Sequence, residues 1–356
     1  MFFRRSVLPG LALFLFAGVS FAGDHKTPPE LMPAPVTLPK DAAAEFLSAL
    51  KKQTGNAVFD LRSSKDFRLP ELGATTFWPA LDAFCRKNGC RVSMHHNPQA
   101  ATLLDGSEKE IPVAYDGIFR VALDRVALVR DFDQAVHRCQ VAVQVGWEPR
   151  FRPFFMDVGK CEAVYAGGKE KMTVDMSGQG KQELTGAGGS AIVYRFPAPP
   201  KRSFDHIETL TGTMTVIGPT RMLAFAFDKL RPIARTEAPR KETQEQVSVT
   251  LREVKTQLDR WTVTLEIENA PGVPEFESYQ SWWGHNEVAL VRGKERWVAT
   301  LTEDDGKAQR ATLVYDFADA RRVKGSKLGD WTLTVTTPHR IVEVPVRFQI
   351  RDIELP

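Results

Sequence analysis

Two stretches near the start of the chain place apolar residues at helical spacing, and most of the remaining sequence alternates in twos. In AEFLSALKKQTGNAVF (44–59) and WPALDAFCRKNGCRVS (78–93), apolar positions recur every three to four residues and then give way to a glycine and an extended run. The stretches match at an offset of 34 residues, pairing Leu47 with Leu81, Ala49 with Ala83, Leu50 with Phe84, Lys52 with Arg86, Gly55 with Gly89 and Val58 with Val92. Each copy predicts an amphipathic helix, a stop at a left-handed glycine and a departing strand. Two copies are too few for a solenoid. They suit a small sheet with both helices on one face.

From about residue 108 the period is two. In CQVAVQVGWEPRFRPFF, Val141, Val143, Val145 and Trp147 share one face, the pattern of a half-buried strand. Pro149 and Pro153 then limit pairing and put this piece at an edge or corner. Its charges, Glu148, Arg150 and Arg152, are either ligand contacts or a solvated edge that resists aggregation. Gly178-Gln179-Gly180-Lys181 lies between strand-like runs and predicts a hairpin turn; neither glycine-rich phosphate motif is present. The C-terminal region offers about seven short strands, ending in VPVRFQI, where Val344, Val346, Phe348 and Ile350 alternate cleanly. That spacing suits an immunoglobulin-like sandwich.

The expected class is therefore α+β: a small two-layer βαβ-βαβ N-terminal domain followed by two mainly antiparallel, sandwich-like β domains. The expected boundaries are a leader at 1–22, a Pro-rich tether at 23–35, the α+β domain at 36–105, a β-rich domain at 106–240 and the sandwich at 247–356. The charged, Pro-containing EAPRKETQEQ (237–246) reads as a linker.

The leader decides the compartment. Arg4 and Arg5 precede an apolar run, Leu8–Val19, and Ser20-Phe21-Ala22 places small residues where a signal peptidase reads them. No later stretch approaches the length of a membrane span, so an exported chain, periplasmic or extracellular and without a transmembrane segment after leader removal, is expected. In an oxidising compartment Cys85, Cys90, Cys139 and Cys161 allow three disulfide pairings, of which Cys85–Cys90 and Cys139–Cys161 are expected. Only one pair is close in sequence, which disfavours a four-cysteine zinc site. The formal charge of +3 falls to about +1 once the leader's arginines leave, and no dense basic run appears, so nucleic acid is not an expected partner.

VTLPKDAAAEFLSALKKQTGNAVFDLR followed by FRLPELGATTFWPALDAFCRKNGCRVSM resembles the short N-terminal (STN-type) domain of secretins and TonB-dependent transducers. The resemblance spans about 60 of the 356 residues and implies a fold and a tendency to dock other proteins. It departs from that family in the two cysteines around the second helix stop, and in having no secretin core or outer-membrane barrel behind it. YDGIFRVALDRVALVRD, QVAVQVGWEPRFRPFFMDV and VPVRFQIRDIELP are similar to the extended β-regions of large exported proteins of planctomycete-type bacteria, which implies no activity.

No metalloprotease, serine-hydrolase or calcium-loop motif occurs. The expectation is a non-catalytic binding or scaffold protein of the cell envelope, acting on an envelope or extracellular protein without cofactor or metal. Two surfaces are candidates. Lys51, Lys52, Arg86 and Lys87 sit at matching repeat positions and form a basic patch, or they simply complement the helix C-termini. The loop FESYQSWWGHNE offers Tyr279, Trp282, Trp283 and His285 for stacking on a sugar or peptide, or as a cap on the core. A secreted glycan-acting hydrolase, or a glycan-binding protein using that loop, is the alternative, and a hydrolase would need two carboxylates roughly 5–10 Å apart across a cleft.

Overall fold

The computed structural model describes residues 27–37, 45–70, 72–97, 99–106, 111–132, 136–165, 170–184, 188–199, 204–257, 260–269, 271–272, 281–307, 309–319 and 327–356. The leader and Tyr279 lie outside these residues. The chain is rich in β structure, arranged mainly in antiparallel sheets.

Both N-terminal repeats fold as helix, glycine and strand. Helix α1 (Phe46–Thr54) stops at Gly55, φ 75°, and leads into β1 (Ala57–Asp60). Helix α2 (Phe77–Asn88) stops at Gly89, φ 59°, and leads into β2 (Cys90–Ser93). Each glycine N–H closes the last turn onto a helical carbonyl, Lys51 O or Cys85 O. The two repeat strands do not pair with each other. A third strand, β3 (Ala100–Asp105), lies between them, parallel to β1 and antiparallel to β2. Phe46, Leu50, Phe77, Leu81, Phe84 and Leu103 fill the space between helices and sheet.

The remaining strands form three sheets. A four-stranded sheet runs β10-β6-β5-β4, from β4 (Val113–Asp116), β5 (Phe119–Asp131), β6 (Val136–Trp147) and β10 (Gly189–Pro197). A five-stranded sheet runs β12-β13-β14-β18-β17, from β12 (Arg240–Gln244), β13 (Val247–Thr256), β14 (Arg260–Glu268), β17 (Thr300–Lys307) and β18 (Arg310–Ala318). Between them lies a sheet of seven strands. Its spine is β11 (His206–Phe227) against β19 (Thr332–Glu354), flanked by β7 (Phe155–Tyr165), β8 (Lys171–Asp175) and β9 (Gln182–Glu183) on one side. On the other side stand β15 (Glu287–Arg292) and β16 (Glu295–Val298).

β11 and β19 pair in a single register from His206↔Glu354 to Phe227↔Leu333. At 22 and 23 residues they are each roughly 70 Å long. Leu210, Met214 and Val216, with Val344, Val346, Phe348 and Ile350, face the four-stranded sheet. Beyond a waist at 216–220 the parity changes. Ile217, Leu223, Phe225 and Phe227, with Leu333 and Val335, face the five-stranded sheet. Odd and even residues of a strand point to opposite faces, so the two covering sheets sit on opposite faces of the shared sheet, one at each end.

This arrangement corrects the domain boundaries read from sequence. EAPRKETQEQ is not a linker: it contains β12, paired with β13 from Arg240↔Leu251 to Gln244↔Val247 and closed by a hairpin with positive φ at Glu245 and Gln246. The alternating run Val344–Ile350, expected in the last sandwich, lines the core of the middle one. Each sandwich borrows half of both spine strands.

The N-terminal layer is docked onto the four-stranded sheet mainly through side chains, with one backbone hydrogen bond, from Gly188 N–H to Met94 O at 2.9 Å. Asp82, 1% exposed on α2, accepts hydrogen bonds from Arg120 Nε at 2.8 and 3.1 Å and from the Tyr115 hydroxyl at 2.5 Å. Trp78 Nε1 donates to Ile118 O at 2.9 Å. Met94 lies in a notch formed by Gly146, Gly188 and Gly189; a Cβ at Gly146 would come within 1.9 Å of its sulfur. Gly188 and Gly189 thus admit a side chain of another layer.

Candidate functional site

The covering four-stranded sheet ends at the waist, and the bare continuation of that face forms the floor of a cleft of about 570 Å³. Its lining includes Gln99 from the N-terminal layer, Arg150 and Arg152 from the loop after β6, Arg221 and Met222 from β11, and Arg296 from β16. The loop can lie down on the spine because Gly218 has no side chain: a Cβ there would meet Pro153 Cα at 2.6 Å and the Phe151 ring at 3.0 Å.

Three of the four guanidinium groups are held by carboxylates. Arg296 pairs with Glu287, and Arg221 with Glu245. Arg150 donates from Nε to Glu148 at 2.6 Å, and its terminal nitrogens reach Glu30 O and Met32 O at 2.7 and 2.6 Å. Glu148 is 1% exposed; its other oxygen has no hydrogen-bond partner among the described residues, and Asn56 Nδ2 donates to the bonded one at 2.8 Å. Burial pushes the Glu148 carboxyl above its ordinary range, against the opposing pull of Asn56 and Arg150. Arg152 is exposed on the loop and has no hydrogen-bond or ion-pair partner among the described residues. A planar guanidinium in this position can bind a carboxylate, phosphate or sulfate through two parallel hydrogen bonds. Among the lining residues the carboxylate is Glu287, already held by Arg296.

The lysine–arginine patch and the aromatic loop do not gather here. Lys51, Lys52, Arg86 and Lys87 are exposed in the last turns of α1 and α2, next to the unpaired helical carbonyls. The aromatic loop turns inward. Trp282 is fully buried in the second sandwich core, Trp283 packs against that core and donates from Nε1 to Asp304 at 2.7 Å, and His285 stacks on Phe154 with centroids 3.9 Å apart. Burial lowers the His285 pKa to about 4. Trp282 thus belongs to the core, and Trp283 and His285 are partly buried at the junction of the sandwiches, where apolar area already covered gains nothing further from a ligand. Ahead of α1, Val36 N–H donates to Thr75 O, and Thr37 is held through both backbone groups by the Gln53 amide.

All four cysteines are buried. Cys85 and Cys90 flank the Gly89 stop, both within the N-terminal core. Cys139 on β6 and Cys161 on β7 belong to facing sheets of the middle core. Tyr165 approaches Cys139 from the opposite sheet without reaching hydrogen-bond geometry, and desolvation raises the pKa of both thiols.

No family model and no curated protein matches this chain. A solved structure described as the conserved domain protein from Bacillus anthracis is similar over 67% of this chain and 89% of its own, at 9% identity and a TM-score of 0.21.

Proposed function

We propose that the chain is an exported, non-catalytic binding protein of the cell envelope, and that it receives an acidic segment of another envelope or extracellular protein in the arginine-lined cleft. The observation that carries this reading is the convergence of Arg150, Arg152, Arg221 and Arg296 on one cleft, with the Arg152 fork uncommitted. An acidic chain entering the cleft would meet donors held in place by Glu148, Glu245 and Glu287, and so preorganised for it. Export rests on the leader, and in that compartment Cys85–Cys90 and Cys139–Cys161 are the proposed disulfides. The finer likenesses belong to the same reading: an STN-type unit, supported by two glycine-stopped helices over a small sheet, and an immunoglobulin-like C-terminal sandwich.

Calorimetric titration of the mature chain with hexaglutamate, and with hexaglutamine as the neutral control, tests the proposal. Binding of hexaglutamate alone, weakened at least about tenfold by Arg152→Glu and by raised salt, is the expected result. Equal binding by the folded variant, or no binding by the wild type, would overturn it. Binding of an acidic hexasaccharide without hexaglutamate would transfer the site to glycans.

A further inference from the structure

The segment ahead of the N-terminal layer returns to the cleft. Residues 28–35 read Pro-Pro-Glu-Leu-Met-Pro-Ala-Pro, and Pro29–Leu31 form a single 3₁₀ turn. Leu31, 1% exposed, belongs to the middle core, whereas Val36 belongs to the N-terminal core. The segment therefore straps the two bodies together. It has little backbone hydrogen bonding with which to do so, since its four prolines carry no N–H. The Leu31 and Met32 N–H groups close the turn itself, onto Pro28 O and Pro29 O. Among the described residues, the hydrogen bonds between 28–35 and the rest of the chain come from Arg150, whose terminal nitrogens reach Glu30 O at 2.7 Å and Met32 O at 2.6 Å. The Glu30 carboxylate adds an ion pair with Arg340 at 3.6 Å.

Arg150 is also a wall of the cleft. Its Nε is committed to Glu148, so a carboxylate binding through two parallel hydrogen bonds must use the two terminal nitrogens, and these are the ones the strap holds. The strap stands where a ligand carboxylate would stand, with two carbonyl oxygens in its place and an acidic side chain beside them. We infer that residues 28–32 are a resident competitor of the acidic ligand: the strap closes Arg150 off, and a ligand carboxylate takes the Arg150 fork and releases it. The inference rests on the acidic-ligand reading of the cleft. A guanidinium bonds a carboxylate more strongly than a neutral carbonyl, so the ligand has the better contact. The strap has two compensations, attachment to the same chain, which raises its effective concentration, and the burial of Leu31. Arg152 is exposed and uncommitted while the strap is closed, so the ligand engages it first and Arg150 second. Weakening the Leu31 anchor shifts the balance towards the ligand without touching a cleft residue.

Calorimetric titration of the full mature chain with hexaglutamate, as wild type, Leu31→Ser and Leu31→Met, provides the test. Leu31→Ser should bind at least about tenfold more tightly than the wild type, because the competent, open form is then the main one. Leu31→Met keeps an apolar anchor and should bind like the wild type. A second measurement needs no variant: hydrogen exchange of the wild type with and without hexaglutamate. Saturating ligand should speed exchange in residues 28–37 and slow it nowhere in that segment. Equal or weaker binding by folded Leu31→Ser, or a segment whose protection the ligand leaves unchanged or increases, would overturn the inference and leave the acidic-ligand reading standing. Absence of hexaglutamate binding in the wild type and in Leu31→Ser alike would overturn that reading, and the inference with it.

Discussion

The N-terminal layer and the C-terminal sandwich meet the middle of the molecule in opposite ways. The first is joined mainly by side chains: a buried carboxylate held by a guanidinium and a phenol, an indole N–H on a carbonyl, and a methionine in a glycine notch, with one backbone hydrogen bond from Gly188 N–H to Met94 O. The second is joined by backbone, two strands that run through both sandwiches in one register. Side-chain junctions fail when one partner is removed, because the group left behind is buried and unsatisfied. A shared ladder has no single partner to remove, and it couples the stabilities of the two bodies it crosses. The cleft lies where both kinds of junction come together, so each should affect it differently.

Interrupting the spine puts this contrast under the greatest load. Val216→Pro removes an N–H from a strand paired on both sides. It should cost about 4–5 kcal/mol or more, and both sandwiches should lose structure in one thermal transition. Survival of an intact C-terminal sandwich would show that the bodies are independent after all. Next in size is Asp82→Ala, which leaves Arg120, 5% exposed, without its carboxylate. It should cost about 3–5 kcal/mol, expressed as early loss of protection in residues 46–105 while the spine stays protected. Asp82→Asn should cost less, since it keeps an acceptor.

The contact between the sandwiches can be weakened by acid. The folded His285 pKa of about 4 lies below its ordinary 6.5, so the fold binds the neutral ring and the unfolded chain takes up the proton first. Stability is fully present above pH 6.5 and falls towards pH 4, by about 3 kcal/mol. His285→Phe should flatten this part of the stability profile; an unchanged profile would assign the acid sensitivity elsewhere. The smallest expected effect is that of Gly146→Ala, which crowds Met94 at about 1–3 kcal/mol. Adding Met94→Ala should recover part of the loss by making room, and a double variant no better than the single one would contradict the notch.

Local features were legible in the sequence. The two glycine stops follow from helical periodicity and from glycine's access to positive φ, and no tertiary context was needed. The alternation of Val141, Val143, Val145 and Trp147 likewise gave a strand with one buried face. The shared spine was not legible, because its signal is a change of phase. From Leu210 to Val216 the buried apolar residues occupy even positions, and among Ile217, Leu223, Phe225 and Phe227 odd ones, so a strand crossing from one core to another looks in sequence like two adjacent pieces. β12 resembled a linker for a related reason: it is an edge strand whose last four residues are exposed, so its composition matches that of a connector. The cleft was visible only in part. Arg150 and Arg152 stood out in EPRFRP, but Arg221 and Arg296 were brought beside them by β11 and β16, and nothing local marks either. The aromatic loop left two readings open, since adjacent tryptophans can indicate a core plug as readily as a binding surface.

A common spine should make residues 113–356 one cooperative body, with the N-terminal layer docked on it. Hydrogen exchange along the whole chain, followed by mass spectrometry under native conditions, tests this most directly, because it reads opening free energies segment by segment. Equal and maximal protection is expected in the two halves of β11, 206–216 and 219–227, and in both halves of β19, with 46–105 opening separately at lower free energy. Different protection on the two sides of the waist, with 237–246 opening as a hinge between independently unfolding bodies, would contradict it.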